Sequence, residues 1–216
     1  QGQVVEVSYN IQAAVDSKHN LVVATHTINR NDKNALAAIA LEVKENLALE
    51  TFTVLVDKGY HNGRELHTCK QNNITTIVAV PEQGKSNENG TQPEYLVSKF
   101  IYNKETNSYT CPEGKTLTTT GSWHKKTGRT EESGYNFQKY RTPACKTCLV
   151  KGLCTSRNGG REIDRSQYAD AVEENHQRYK DNPQLYRKRQ EINEHIFGTI
   201  KRKWGYNYTD LVGLEK

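Results

Sequence analysis

Four of the five cysteines could share one metal ion. Cys145-Lys146-Thr147-Cys148 sets two thiols two residues apart, Cys154 follows after five more, and Cys111-Pro112-Glu113-Gly114 offers a fourth thiol on a turn. Four thiolates suit a closed tetrahedral Zn²⁺ site, which can pin a segment too small to stabilise itself. Reduced, unliganded thiols are the plainer alternative, and His124 is a possible substitute ligand. An odd cysteine count with no secretory signal argues against a disulfide framework. Cys69, on an expected helix, reads as a buried thiol.

Two carboxylates form the second set. Asp57 ends the apolar run Phe52-Thr53-Val54-Leu55-Val56, a place where the ligands of open α/β sheets gather. Glu194 lies on an expected helix with Arg187 and Lys201 seven residues to either side. Hard carboxylate oxygens suit Mg²⁺ or Mn²⁺. Taken singly, Asp57 is as well read as a helix cap or loop carboxylate, and Glu194 as a solvated charge paired with its basic neighbours. Tyr60, Trp123, Tyr135, Tyr140, Trp204 and Tyr206 could stack on bases or sugars, although packing is the commoner role.

The elements that must position these groups can be read from periodicity. Residues 4–16 and 20–28 alternate apolar and polar side chains around Ser17-Lys18-His19-Asn20, which predicts an antiparallel hairpin. After Asn31-Asp32, which can cap a helix, Leu36, Ile39, Ala40, Val43 and Leu47 recur at spacings of three and four and predict a helix over 34–47. A buried strand over 52–56, a helix capped by Asn62 to about residue 71 and a strand over 74–80 complete an alternation that implies a mixed sheet layered with helices. Residues 81–93 lack periodicity and predict a surface loop, and 99–142 predict short strands and turns. Helical pattern returns near Asp164, with Tyr168, Ala171 and Val172 as inward positions. A last helix runs from Pro183 to about Lys203, with Leu185, Ile192, Ile196, Thr199 and Ile200 on one side and Arg187, Glu194 and Lys201 on the other. The expected organisation is therefore a first core segment at 1–80, a β-rich insertion with the cysteines at 81–163, and a helical return at 164–216.

The 216 residues are 34% hydrophobic and 25% charged, with a mean hydropathy of -0.86. No apolar run approaches the roughly 20 residues of a membrane span, and the first residues lack a signal peptide's charged and apolar regions, so a cytoplasmic protein is expected. The net charge of +5 is local: between 187 and 203, six Lys and Arg face two Glu, a net +4. Such a segment favours a polyanionic partner.

The combination of motifs says more than each alone. Val54-Leu55-Val56-Asp57-Lys58-Gly59-Tyr60 and Glu194-His195-Ile196-Phe197-Gly198-Thr199-Ile200-Lys201-Arg202 resemble the second-aspartate and glutamate motifs of insertion-sequence DDE transposases. The resemblance extends to Tyr9-Asn10-Ile11-Gln12-Ala13-Ala14-Val15-Asp16, to the cysteine block and to Gly205-Tyr206. It implies a ribonuclease H-like α/β fold of mixed sheet and flanking helices, here interrupted by the small β-rich insertion whose cysteine spacing suggests zinc. Three carboxylates would hold divalent cations, Mg²⁺ or Mn²⁺, for in-line phosphoryl displacement on transposon ends and target DNA. Asp57 and Glu194 would be the second and third.

The first carboxylate would lie on a strand preceding Gln1, with Asp16 as a turn aspartate or, less simply, that missing ligand. The chain alone is therefore expected to be weakly active or inactive. Tyr186, Arg189, Lys201 and Arg202 would handle DNA. The usual arginine position of the family, four before the glutamate, holds Gln190 here, with Arg189 one residue away. The resemblance also suggests a homodimer on DNA, nucleoid-associated. A catalytically inactive DNA-binding remnant and a nuclease of the same fold are the competing readings.

Overall fold

The computed structural model describes residues 9–29, 31–81, 90–128 and 133–206. The expected strand residues 4–8, the loop residues 82–89 and the terminal 207–216 lie outside them. The chain divides into two units, one formed by Gln1–Pro81 with Asp170–Lys216 and the other by Glu82–Ala169.

In the first unit, β1 (Asn10–Val15) and β2 (Val22–Ile28) form the antiparallel hairpin, with Asn10 opposite Ile28 and Val15 opposite Val22. Asp16 closes the turn: its carboxylate accepts the His19 backbone N–H at 2.6 Å. Asn20 adopts φ 56°, a left-handed conformation that asparagine tolerates. Helix α1 (Leu36–Asn46) buries Leu36, Ala37, Ile39, Ala40 and Val43, the stripe expected from spacing. Ala35 precedes it and cannot cap. The buried Glu65 takes over, accepting the Ala37 N–H at 2.9 Å.

β3 (Phe52–Val56) is joined through α2 (Gly63–Gln71) to β4 (Ile74–Val78), and the two strands pair in parallel. Asn62 caps α2, accepting the Arg64 N–H at 3.0 Å. Parallel and antiparallel pairs are thus both present, as separate two-stranded sheets among the described residues rather than one continuous mixed sheet. The reason is local: β1 hydrogen-bonds to β2 and β3 to β4, and no described strand lies between the remaining edges of β1 and β3.

The second unit holds two three-stranded sheets. β5 (Ile101–Asn103), β6 (Ser108–Thr110) and β7 (Thr116–Thr118) pair antiparallel in chain order. β9 (Tyr135–Tyr140) lies between β8 (Trp123–Lys126) and β10 (Ile163–Ser166), with the short α3 (Lys151–Cys154) before β10. The core is Phe100, Tyr109, Leu117, Tyr140 and Ile163, edged by Cys111 and Cys154. Residues 163–166 were expected at the start of a helix. They form a strand because Ile163 and Arg165, two apart, both turn inward: Ile163 joins that core, and the Arg165 guanidinium donates to Tyr109 Oη at 2.9 Å and lies 3.6 Å from the Tyr102 ring.

α4 (Ala169–Asp181) and α5 (Pro183–Gly198) follow, and the chain continues through a π-turn, Thr199–Lys203. α4 brings Ala171 and Val172 to the core of Leu36, Ala40, Leu66, Cys69, Ile74 and Val78, so Cys69 is a buried thiol. It also acts as a surrogate strand for β4. Fully buried Asn175 donates to the Val78 carbonyl and accepts the Val78 N–H, both at 2.9 Å, and Arg178 donates to the Thr76 carbonyl at 2.9 Å. Asn175→Ala leaves both Val78 groups unpaired inside the protein. We expect a loss of about 2–4 kcal/mol in unfolding free energy, measured by urea denaturation.

Candidate active site and cysteine cluster

β3 is an apolar run that ends where Asp57 turns the chain out of the sheet. The exposed Asp57 carboxylate accepts the N–H of Lys58 at 2.7 Å and caps a single 3-10 turn, Lys58–Tyr60. The cap reading of Asp57 is borne out, and the cap uses one of its two carboxylate oxygens.

Beside Asp57 lies a cleft of about 510 Å³ within the first unit. Consecutive residues of β1 (Ile11 to Val15) and of β3 (Phe52 to Val56) line it. Neighbouring side chains of a strand point to opposite faces, so a cleft touching every residue runs along the strand edge. Among the described residues these edges of β1 and β3 pair with no further strand. Leu185, Lys188, Arg189, Ile192, Asn193 and Phe197 of α5 close it, with Tyr60 and Asp57 at one end of β3.

This wall separates the residues expected to act together. At 100° per residue, Glu194 points to the opposite side of α5 from the cleft-lining set and is exposed, as are Lys201 and Arg202. Asp57, Arg189 and Tyr60 share the cleft; Glu194 does not line it. Arg189, despite its one-residue offset from the family position, is the arginine that enters: its Nε is buried without a partner and its guanidinium lies 5.3 Å from the Tyr186 ring. Tyr186 in turn meets Tyr179 edge-on at 4.9 Å. Burial, opposed by Arg189 and reinforced by Asp57, pushes the Tyr186 hydroxyl up.

Burial, then the carboxylates of Asp32 and Asp57, push the Tyr60 hydroxyl up to about 12. Asp32 was expected only as a helix cap. Neither it nor Asn31 caps α1: Asn31 caps the 3-10 turn Asp32–Asn34, and the Asp32 carboxylate accepts side-chain amides from Asn10 and from Gln12, the latter at 3.1 Å. Spacing gives no hint of this, because Asn10, Gln12 and Asp32 meet only through the tertiary fold.

His61 follows the same turn, and burial, then the charge of His176, hold its pKa below the ordinary 6.5. The folded state thus favours the neutral ring. This contribution is complete above pH 6.5 and is lost as pH falls through 6.5 towards the folded value. We expect the melting temperature to drop between pH 7 and pH 5, and His61→Gln to flatten that slope.

In the second unit Cys111, Cys145, Cys148 and Cys154 all line one cavity of about 30 Å³. Cys111 lies in a tight turn in which the Lys115 N–H donates to its Sγ at 3.3 Å, while Gly114 takes φ 70°. A Cβ on Gly160 would sit 2.3 Å from the Cys145 Cβ, so only glycine fits over that thiol. Burial raises the Cys154 pKa, opposed by Arg161 and reinforced by the other three thiols. Among the described residues no three His, Cys, Asp or Glu side chains stand close enough to hold an ion as they are. His124 packs on Phe137 at 5.6 Å, away from this cavity.

Residues 110–216 match the family model described as transposase DDE domain. That part of the chain is similar to this family. The transposase domain so matched contains all four clustered cysteines, Tyr186, Arg189, Glu194, Lys201 and Arg202, while Asp57 lies before the matched stretch. No curated protein and no solved structure matches the chain. No described helix is long and apolar enough to cross a membrane.

Proposed function

We propose that this chain is the carboxy-terminal part of a metal-dependent DNA strand-transfer enzyme acting on insertion-sequence ends. Asp57 and Glu194 are its second and third carboxylates, and the first arrives on a strand that precedes this sequence. The observation that carries the reading is the position of Asp57: at the carboxyl end of β3, beside the open edges of β1 and β3, in a chain whose later part is a transposase DDE domain. The cleft has room for an extended segment that would hydrogen-bond to both edges and set its own carboxylate by Asp57.

Mg²⁺ or Mn²⁺ bound there supplies charge stabilisation for an in-line displacement at phosphorus. The donor chemistry fits at Asp57, a hard oxygen ligand with one oxygen free of the cap. Glu194 is exposed on the side of α5 away from the cleft, so it would join Asp57 only if α5 turned about its axis. Exposed Lys201 and Arg202 bind phosphates without reading bases, and Tyr186 with Arg189 positions the DNA end. The cysteine cluster binds Zn²⁺ and clamps the insertion. The protein works as a homodimer on paired ends, in the nucleoid.

Product analysis tests this. The protein with its preceding strand is incubated with Mg²⁺, a DNA carrying the element's ends and a target plasmid. Joining of a 3′ end to the target supports the reading. Cleavage without joining means a nuclease of the same fold, and DNA binding without either means an inactive remnant.

A further inference from the structure

We propose that Asp32, with the amide oxygen of Gln12, is a further ligand set for the divalent cation at Asp57, giving the site a fourth carboxylate that the sequence motifs do not announce. This deepens the strand-transfer reading and rests on it.

Geometry carries the inference. Asp32 lies 25 residues before Asp57, yet its Oδ2 packs against the turn that Asp57 caps: a Cβ on Gly59 would sit 3.3 Å from that oxygen. Glycine at 59 is what lets the carboxylate come this near. Asn10 and Gln12 both donate to Oδ1, which fixes the orientation of the group and leaves Oδ2 with no donor among the described residues.

Gln12 supplies the second, independent observation. It is only 3% exposed, its Nε2 is committed to Asp32, and its Oε1 is buried with no hydrogen-bond partner among the described residues. Buried acceptors are nearly always satisfied, and an orphan beside a carboxylate calls for a cation or a proton donor. Tyr60, in the field of both Asp32 and Asp57, shows that the two carboxylates serve one neighbourhood. The donor set of carboxylate and amide oxygens is the hard one that Mg²⁺ and Mn²⁺ take, with remaining positions left to water. A purely structural Asp32, tying β1 to the turn, would explain Oδ1 but gives the Gln12 oxygen no role.

The experiment is Mn²⁺ binding followed by the EPR signal of the free ion, on the intact protein and on Asp32→Asn, Gly59→Ala and Asp57→Asn, with metal-free melting temperatures alongside. Asn at 32 keeps the acceptor for Asn10 and Gln12, so the fold should stand. The proposal expects Asp32→Asn to weaken Mn²⁺ binding at least about tenfold, and Gly59→Ala, which pushes the carboxylate away, to weaken it in the same direction should Asp32→Asn not fold. If Asp57→Asn loses Mn²⁺ while Asp32→Asn and Gly59→Ala keep the parent affinity, the role of Asp32 is overturned and the strand-transfer reading remains. If the unaltered protein takes up no Mn²⁺ at all, both fall.

Discussion

In the protein with its preceding strand, Asp57→Asn should remove strand joining by roughly a thousandfold or more while leaving the melting temperature in metal-free buffer nearly unchanged. The separation of the two effects follows from what the side chain does. Asp57 is exposed, and its one described hydrogen bond is the 2.7 Å bond accepted from the Lys58 N–H. Asparagine keeps an oxygen in that position and still caps the turn. What it loses is the negative charge that faces the open end of the cleft. Losing one metal-holding carboxylate costs several kcal/mol of transition-state stabilisation, and about 1.4 kcal/mol corresponds to each tenfold. Joined product is measured on a gel with labelled ends, and stability by circular dichroism. Activity within tenfold of the parent would remove Asp57 from the reaction centre. Glu194→Gln should follow the same pattern if α5 turns as proposed; a silent Glu194→Gln would mean that the exposed placement of Glu194 is the working one.

The first unit shows how far residue pattern reaches. The spacing of Leu36, Ile39, Ala40 and Val43 marks the buried stripe of α1, and the apolar run expected as a strand over 74–80 is buried as β4, because burial is written into periodicity; the run 52–56 forms its strand but is only partly buried, with Thr53 exposed. Turn chemistry is equally readable at Asp16 and at Asn62, where a short polar side chain satisfies a backbone donor nearby. Contacts that cross the chain leave no such trace. Glu65 capping α1, Asn175 completing the edge of β4, and Asp32 reaching Asn10 and Gln12 all pair residues brought together by packing alone.

The same limit explains β10 and α5. Ile163-Asp164-Arg165-Ser166 is too short and too polar to announce a strand, and it becomes one because β9 offers an edge and the tyrosine cluster accepts the arginine. In α5 the apolar side predicted from the wheel is only partly used: Leu185 and Ile192 line the cleft, but so do Lys188, Arg189 and Asn193. A helix covering an open groove between two strand edges has less apolar surface to bury than one packed on a finished sheet. Its polar cleft-facing residues fit a groove that a further strand would fill.

Removal of Zn²⁺, or Cys145→Ser, should unfold the Glu82–Ala169 unit at a cost of several kcal/mol, while the first unit keeps its own secondary structure. The unit's core is five residues, of which two are tyrosines, a small apolar reserve for two three-stranded sheets and long connections. Four thiols converge on a void of about 30 Å³ from four separate backbone features: the turn at Cys111, the 3-10 segment Pro143–Thr147 capped by Thr142, the following residue Cys148, and α3. The Lys115 N–H already points at a sulfur, as a bond that stabilises thiolate would. Without a cation the arrangement is unfavourable as thiolate, since burial and the neighbouring sulfurs raise the Cys154 pKa; with Zn²⁺ the same crowding becomes coordination. Because the thiols must draw together and lose protons, metal uptake should weaken as pH falls. Elemental analysis should give one zinc per chain, and chelator should abolish protection from proteolysis across residues 90–168. Zinc-free protein that remains equally resistant would show that the tyrosine core alone holds the unit and that these cysteines are simply reduced thiols.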